Sequence, residues 1–86
     1  MTTENELEFA REFARRISAK GKTPKEIARS LYSPSGLDLS VEEVARVLYS
    51  PNGLDLSAVE TALAMRDALG ISAKKITRVM GVIRGY

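Results

Sequence analysis

The chain of 86 residues contains no cysteine, no histidine and no tryptophan. The lack of cysteine excludes disulfide bonds, thiol catalysis, and zinc-finger and iron–sulfur sites. The lack of histidine removes the commonest general base and metal ligand, so neither a Ser–His–Asp nor a Cys–His arrangement can form. No apolar run approaches the ~20 residues that cross a bilayer, and the first residues lack the basic and apolar segments of a signal peptide. We therefore expect a soluble cytoplasmic protein.

Other catalytic and ligand-binding templates are also missing from the sequence. There is no Gly-x-x-x-x-Gly-Lys loop to hold a phosphate. The glycines are scattered at helix ends and do not gather in one loop. Glu42 and Glu43 are neighbours, and neighbouring side chains on a helix point in different directions. Ser50, Asn52 and Asp55 do not have the spacing of a calcium loop. We expect no catalytic, cofactor-binding or metal site, and hence no enzyme.

An internal repeat organises the middle of the chain. Residues 31–40 recur as residues 48–57, and only Ser35 and Asn52 differ between the two copies of Leu-Tyr-Ser-Pro-x-Gly-Leu-Asp-Leu-Ser. The offset of 17 residues is long enough for one helix and one connection, which is half of a helical hairpin.

Helix starts are marked by a capping-box pattern, in which a Ser or Thr is followed three residues later by Glu. The four pairs are Thr3/Glu6, Thr23/Glu26, Ser40/Glu43 and Ser57/Glu60. Ser72 is a weaker start, because Lys75 stands where the Glu would be. Pro24 follows its cap directly, where the missing N–H of proline costs nothing.

Helix ends are marked by Gly21 and Gly70, which suit a left-handed terminal residue, and by two Ser-Pro pairs. Together, the start and end signals predict five helices near residues 4–20, 24–32, 41–49, 58–69 and 73–84. No segment alternates with the period of a strand. The predicted fold is a single compact all-α domain over residues 1–86, with short helices joined by packed Pro/Gly loops.

Apolar residues at helical spacing predict the buried faces. In the first helix they are Leu7, Phe9, Ala10, Phe13, Ala14 and Ile17. In the fourth they are Val59, Ala62, Leu63 and Leu69 with Met65 at the edge, and in the fifth Ile76, Val79, Met80 and Ile83. Leu39 and Leu56 precede capping serines, where they can form hydrophobic staples, and we expect Leu37 and Leu54 to reach the core as well. Asp38 and Asp55 should bond a backbone N–H or face solvent.

The last helix has a basic face without acidic residues. Lys74, Lys75, Arg78 and Arg84 fall outside its apolar stripe, as a phosphate-binding surface would require. The segment Leu69-Gly70-Ile71-Ser72, followed by Ile76, Arg78 and Val79, resembles the turn and recognition helix of the helix-turn-helix family. That resemblance implies DNA binding through residues 58–84, with Lys74, Lys75 and Arg78 facing the groove. The family has a small residue four positions before the turn glycine, where this chain has Arg66.

Three interpretations of function remain. The first is a non-enzymatic helical domain with no encoded active site, either an idealised, de novo designed fold or a structural module, because the local signals all agree. It requires no partner, although its cations would support weak non-specific nucleic-acid binding. The second is a small helix-turn-helix-like DNA-binding regulator. The third is a protein-interaction module, such as a homodimer, with exposed apolar residues sought among Tyr32, Tyr49, Val47 and Val82.

Overall fold

The computed structural model describes residues 4–50 and 53–84, without the side chains of Glu4 and of residues 82–84. Five helices follow one another: α1 (Glu4–Ala19), α2 (Pro24–Tyr32), α3 (Val41–Tyr49), α4 (Ala58–Leu69) and α5 (Ala73–Arg84). No strand occurs in the described ranges. The prediction of an all-α fold with five helices is confirmed, and the only difference in bounds is that α1 ends one residue earlier than expected.

Three of the helices begin at complete capping boxes. At α3, the Ser40 N–H donates to Glu43 Oε1 at 2.8 Å, and the Glu43 N–H donates to Ser40 Oγ at 3.2 Å. The same reciprocal bonds start α2 and α4. At α5, Ser72 Oγ accepts from the N–H of Lys75 at 3.3 Å, and the lysine has no carboxylate to return the bond. The box predicted at Thr3 lies outside the described residues.

The two long connections fold back onto the helices that they follow. After α2, the Leu39 N–H donates to the Leu31 carbonyl at 2.9 Å. After α3, the Leu56 N–H donates to the Leu48 carbonyl at 3.0 Å. The other backbone hydrogen bonds of the two connections also match at the offset of the repeat. In the first connection, the N–H groups of Gly36 and Asp38 donate to the Ser33 carbonyl and that of Leu37 to the Ser30 carbonyl. In the second, the N–H groups of Gly53 and Asp55 donate to the Ser50 carbonyl and that of Leu54 to the Val47 carbonyl. Carbonyls that a helix end leaves without partners are thereby satisfied.

Each connection contains two backbone features that are not predictable from the sequence signals above. Asp38 and Asp55 both have a φ of 53°, in the left-handed region that Asp tolerates better than most residues. A Cβ atom on Gly36 would collide with the Ser30 carbonyl oxygen, and one on Gly53 would collide with that of Val47. The aspartate side chains are exposed, as expected.

Helix α3 is at the centre of the fold. It contacts each of the other four helices, although it has only nine residues. Val44, Ala45, Val47 and Leu48 are fully buried. Helix α2 packs most extensively against α4 and contributes Ile27, Ala28 and Leu31 to the same core.

The structure decides the placement of two apolar residues. Val47 shares a helical face with Val44 and Leu48, which predicts burial, and it was also named for inspection as part of an exposed apolar patch; it is fully buried on the core side of α3. Phe9, assigned to the core, is 60% exposed. Of the other four helices, α1 contacts only α2 and α3 in the described part of the chain, so it buries the narrower face that carries Leu7, Ala10 and Ala14. Of the other patch candidates, Tyr32 is exposed, Tyr49 is half-buried, and the Val82 side chain lies outside the described residues.

The loop leucines occupy the positions expected of them. Leu39 is buried, and Leu37, Leu54 and Leu56 are partly buried and pack against the core. The long connections are therefore part of the packed structure.

Alanine substitutions should separate the glycines that the fold requires from those that it tolerates. Gly36→Ala and Gly53→Ala should each lower the free energy of unfolding by about 1–3 kcal/mol, as overpacking does, because the new methyl group meets backbone atoms. Gly81→Ala is the matched control: its Cβ would meet open space on an exposed helix, so it should raise stability by up to ~1 kcal/mol. Urea unfolding of the three variants measures the differences. Equal effects at all three sites would contradict the close approach in the loops.

The capping box of α2 should be detectable as a lowered pKa of the Glu26 carboxyl. Hydrogen bonds from the Thr23 backbone N–H and then from its hydroxyl lower the pKa of Glu26 below the ordinary glutamate value, with smaller help from Lys22 and Arg29. Because the folded pKa is the lower one, the stabilisation is present above the unfolded-state pKa and is lost as pH falls through the folded pKa.

Carboxyl chemical shifts followed by NMR over acidic pH measure this pKa. Thr23→Ala should raise it only partly, since the backbone N–H remains. A Glu26 carboxyl that titrates at or above the ordinary glutamate value would contradict the box.

Candidate functional site

A three-residue turn joins α4 to α5. Gly70 ends α4 with a φ of 66° and donates its N–H to the Arg66 carbonyl at 3.1 Å. Ser72 then caps α5, and the Ile76 N–H donates to its carbonyl at 3.0 Å. Helices α4 and α5 contact each other, and α3 contacts both. The short turn and the shared contact with α3 position α5 at the edge of the domain.

The outer face of α5 carries part of the predicted basic surface. Ile76, Val79 and Met80 are buried. Lys74, Thr77, Arg78 and Gly81 are exposed, and residues three and four apart share one helix face. The structure therefore brings Lys74 and Arg78 together in one stripe.

The other two predicted contact residues lie elsewhere. Lys75 is exposed to one side of the stripe, where it lines a groove with Tyr32, Val41 and Glu42. Arg84 is in the last turn of α5, and its side chain lies outside the described residues. The four cations do not form a single described cluster.

The charges on α5 are poorly compensated. Among the described residues, Lys74, Lys75 and Arg78 form no ion pair, and α5 itself contains no acidic residue. The Thr77 hydroxyl donates to the Ala73 carbonyl at 2.9 Å, which commits its only proton to the helix. The exposed stripe thus offers two unpaired cations and little else that could donate to a ligand.

The apolar residues of the segment that resembles a helix-turn-helix are in the core or packed against it. Ile76 and Val79 are in the core, and Leu69 and Ile71 pack against it. The Arg66 side chain is 57% exposed, and its Nε lies 3.2 Å from Asp67 Oδ1. Arg66 therefore points away from the packed side of α4, and the departure from the family pattern at this position does not obstruct packing.

The buried face of α4 differs from the predicted one. Val59 and Leu63 were expected in the core, but they are 68% and 44% exposed, whereas Met65, expected at the edge, is fully buried. Thr61 and Ala64 are buried beside it. The side of α4 that contacts the core is therefore rotated about the helix axis relative to the predicted side. Val59 instead borders a shallow groove between α4 and α5 that is also lined by Ala58, Ala62, Ile76, Thr77, Met80 and Gly81.

No catalytic constellation emerges from the described part of the chain. Its Asp and Glu side chains do not gather in a group of three that could hold a metal ion. None of its helices combines the length and the apolar character needed to cross a membrane.

Comparisons of the chain with protein-family models, with curated proteins and with solved structures find no match.

The rotated α4 face leaves a polar atom in the core. The Thr61 hydroxyl is buried and has no hydrogen-bond partner among the described residues. Because an unpaired buried hydroxyl costs about 1–3 kcal/mol, Thr61→Val should raise the free energy of unfolding by about 1 kcal/mol or more. The control is Thr77→Val on exposed α5, where the change should stay within ~0.5 kcal/mol. Chemical denaturation compares the two, and a less stable Thr61→Val variant would show that the hydroxyl is satisfied.

Proposed function

We propose that this protein is a non-enzymatic helical domain that binds duplex nucleic acid weakly through α5. The observation that carries the proposal is the exposed stripe of Lys74 and Arg78, with Lys75 beside it and no acidic residue on the helix. An uncompensated cationic helix at the edge of a domain attracts the phosphate backbone and releases its counterions.

The shape of the α4–α5 unit is compatible with this role. An α-helix fits the major groove of B-form DNA, which is about 12 Å wide. Helix α5 has its buried side against α3 and α4, and Lys74 and Arg78 are on the opposite side. Its N-terminal turn also carries the positive end of the helix dipole, close to Lys74 and Lys75.

The same stripe provides little means of reading a base sequence. Specific recognition in the major groove uses side chains such as Arg, Asn or Gln that bond base edges in pairs. Arg78 is the one residue of that kind on the exposed face of residues 73–81, because the Thr77 hydroxyl is bonded to its own helix and Gly81 has no side chain. We therefore expect contacts mainly with phosphates, and dissociation constants of roughly 10⁻⁴ to 10⁻⁶ M at physiological salt.

A salt titration with matched variants tests the proposal. Each phosphate contact contributes about −0.9 to the slope of log K against log salt. Removal of the two cations of the stripe in K74A/R78A should therefore reduce the steepness of the slope by about 2. K20A/K25A removes the same charge from two exposed positions, one in the turn after α1 and one in the first turn of α2, and it should leave the slope unchanged. Fluorescence anisotropy with two duplexes of different sequence provides the measurement.

Three results would contradict the proposal. They are no binding at low salt, equal losses in the two double variants, and tight binding that depends on DNA sequence. Absence of binding would favour the interpretation of the chain as a structural module without a binding site.

A further inference from the structure

The stripe of Lys74 and Arg78 on α5 has a different groove on each side. On the α4 side lies the shallow groove that Val59 borders, and no charged residue is among the described residues that line it. On the other side, a groove between α5 and the start of α3 is lined by both Lys75 and Glu42. A carboxylate therefore lies beside the stripe on one side only.

The Glu42 carboxylate is not neutralised by a neighbouring cation. Glu42 is the second residue of α3, and its side chain is exposed. Among the described residues neither Glu42 nor Lys75 forms an ion pair, so the two side chains line one groove without meeting. Glu43, the next residue, is held in the capping box by the bond from the Ser40 N–H. Glu42 is thus the carboxylate of this turn that can act on a ligand of Lys75.

The surroundings of this groove add negative charge. A larger groove adjoins it at Glu42, and Asp38, Glu43 and Arg46 also line that larger groove. It therefore has three carboxylates and one guanidinium on its walls. Charges at a protein surface act on each other over the Debye length, which is about 8 Å at physiological salt. A phosphate that approaches Lys75 from this side meets an excess of negative charge.

Lys74 and Arg78 are less subject to this repulsion. Neither of them lines the two grooves that Glu42 borders. An α-helix has 3.6 residues per turn, so Lys74 is about 100° from Lys75 around the axis. The cations of α5 therefore divide into two that face outwards and one that shares a groove with a carboxylate.

We propose that Glu42 is a positioning residue of the nucleic-acid surface: its carboxylate repels phosphates from Lys75 and restricts the phosphate contacts of α5 to Lys74 and Arg78. The inference rests on the proposed binding of a duplex by α5. Repulsive groups contribute to the choice and the register of a partner together with attractive ones. The duplex accordingly lies over the stripe and towards the uncharged α4 groove, away from the start of α3.

Removal of one charge from α3 tests the proposal. Glu42→Gln should strengthen the binding of a duplex at low salt about threefold, the factor for two unit charges roughly 6 Å apart in water. It should also steepen the slope of log K against log salt by about 0.9, because Lys75 then gains a phosphate contact. Glu8→Gln is the matched control. Glu8 is exposed on α1, which does not contact α5 in the described part of the chain, so this change should leave the slope as it is.

A double-mutant cycle assigns the effect to Lys75. In the Glu42→Gln chain, Lys75→Ala should remove the added contact and flatten the slope by about 0.9. In the unmodified chain, Lys75→Ala should flatten the slope by much less. The difference between the two effects measures the coupling of Glu42 with Lys75. A merely structural effect of Glu42→Gln on α3 would change the affinity equally with and without Lys75.

Fluorescence anisotropy with the full chain and the two duplexes used above gives the constants. An unchanged slope in Glu42→Gln, or equal effects of Lys75→Ala in the two backgrounds, would overturn the role of Glu42. In both cases a slope that K74A/R78A flattens would leave the proposed function standing. Absence of binding at low salt by both the unmodified chain and Glu42→Gln would overturn the two inferences together.

Discussion

The central position of α3 depends on backbone hydrogen bonds on both sides of it. A helix of nine residues does not persist alone in water, yet α3 contacts every other helix of the domain. The connection before it is tied to the end of α2 by the Leu39–Leu31 bond, and the connection after it is tied to its own end by the Leu56–Leu48 bond. These bonds fix how the starts of α3 and α4 are placed against the helices that precede them, so the packing of the three middle helices depends on two copies of one loop.

The helix bounds could be predicted because their signals are local. A Ser or Thr three residues before a Glu determines its own hydrogen bonds in the capping box, whatever the rest of the chain does. The left-handed conformation of Asp38 and Asp55 could not be predicted in the same way, because Asp occupies both left-handed and ordinary conformations. A glycine two residues before each Asp was a partial signal, but its reason is a close approach to the preceding helix, which only the folded chain contains.

The surface of α4 was predicted wrongly for a related reason. Apolar residues occur all around this helix, so its sequence allows either Val59 and Leu63 or Ala64 and Met65 to face the core. Packing against α2 selects the second face, and that choice depends on residues distant in the chain. In the candidate site, by contrast, the cations of α5 could be identified from the sequence, because no acidic residue interrupts them. The position of Lys75 beside α3 required the fold.

The contrast between the connections bears on where this chain could be opened or extended. The two long loops have the proline and glycine content of flexible surface segments, but their amides are bonded to helix ends and their leucines are packed. The turn at Gly21 is also bonded to a helix end, because the N–H groups of Gly21 and Lys22 donate to carbonyls in the last turn of α1. It differs in its packing: Gly21 is exposed, has a φ of 94°, and has no neighbouring atoms around the position of a Cβ. Inserted peptides and new termini of a circularly permuted chain are tolerated where little packing is lost. The short turn after α1 is therefore a better place for such engineering than the longer loops.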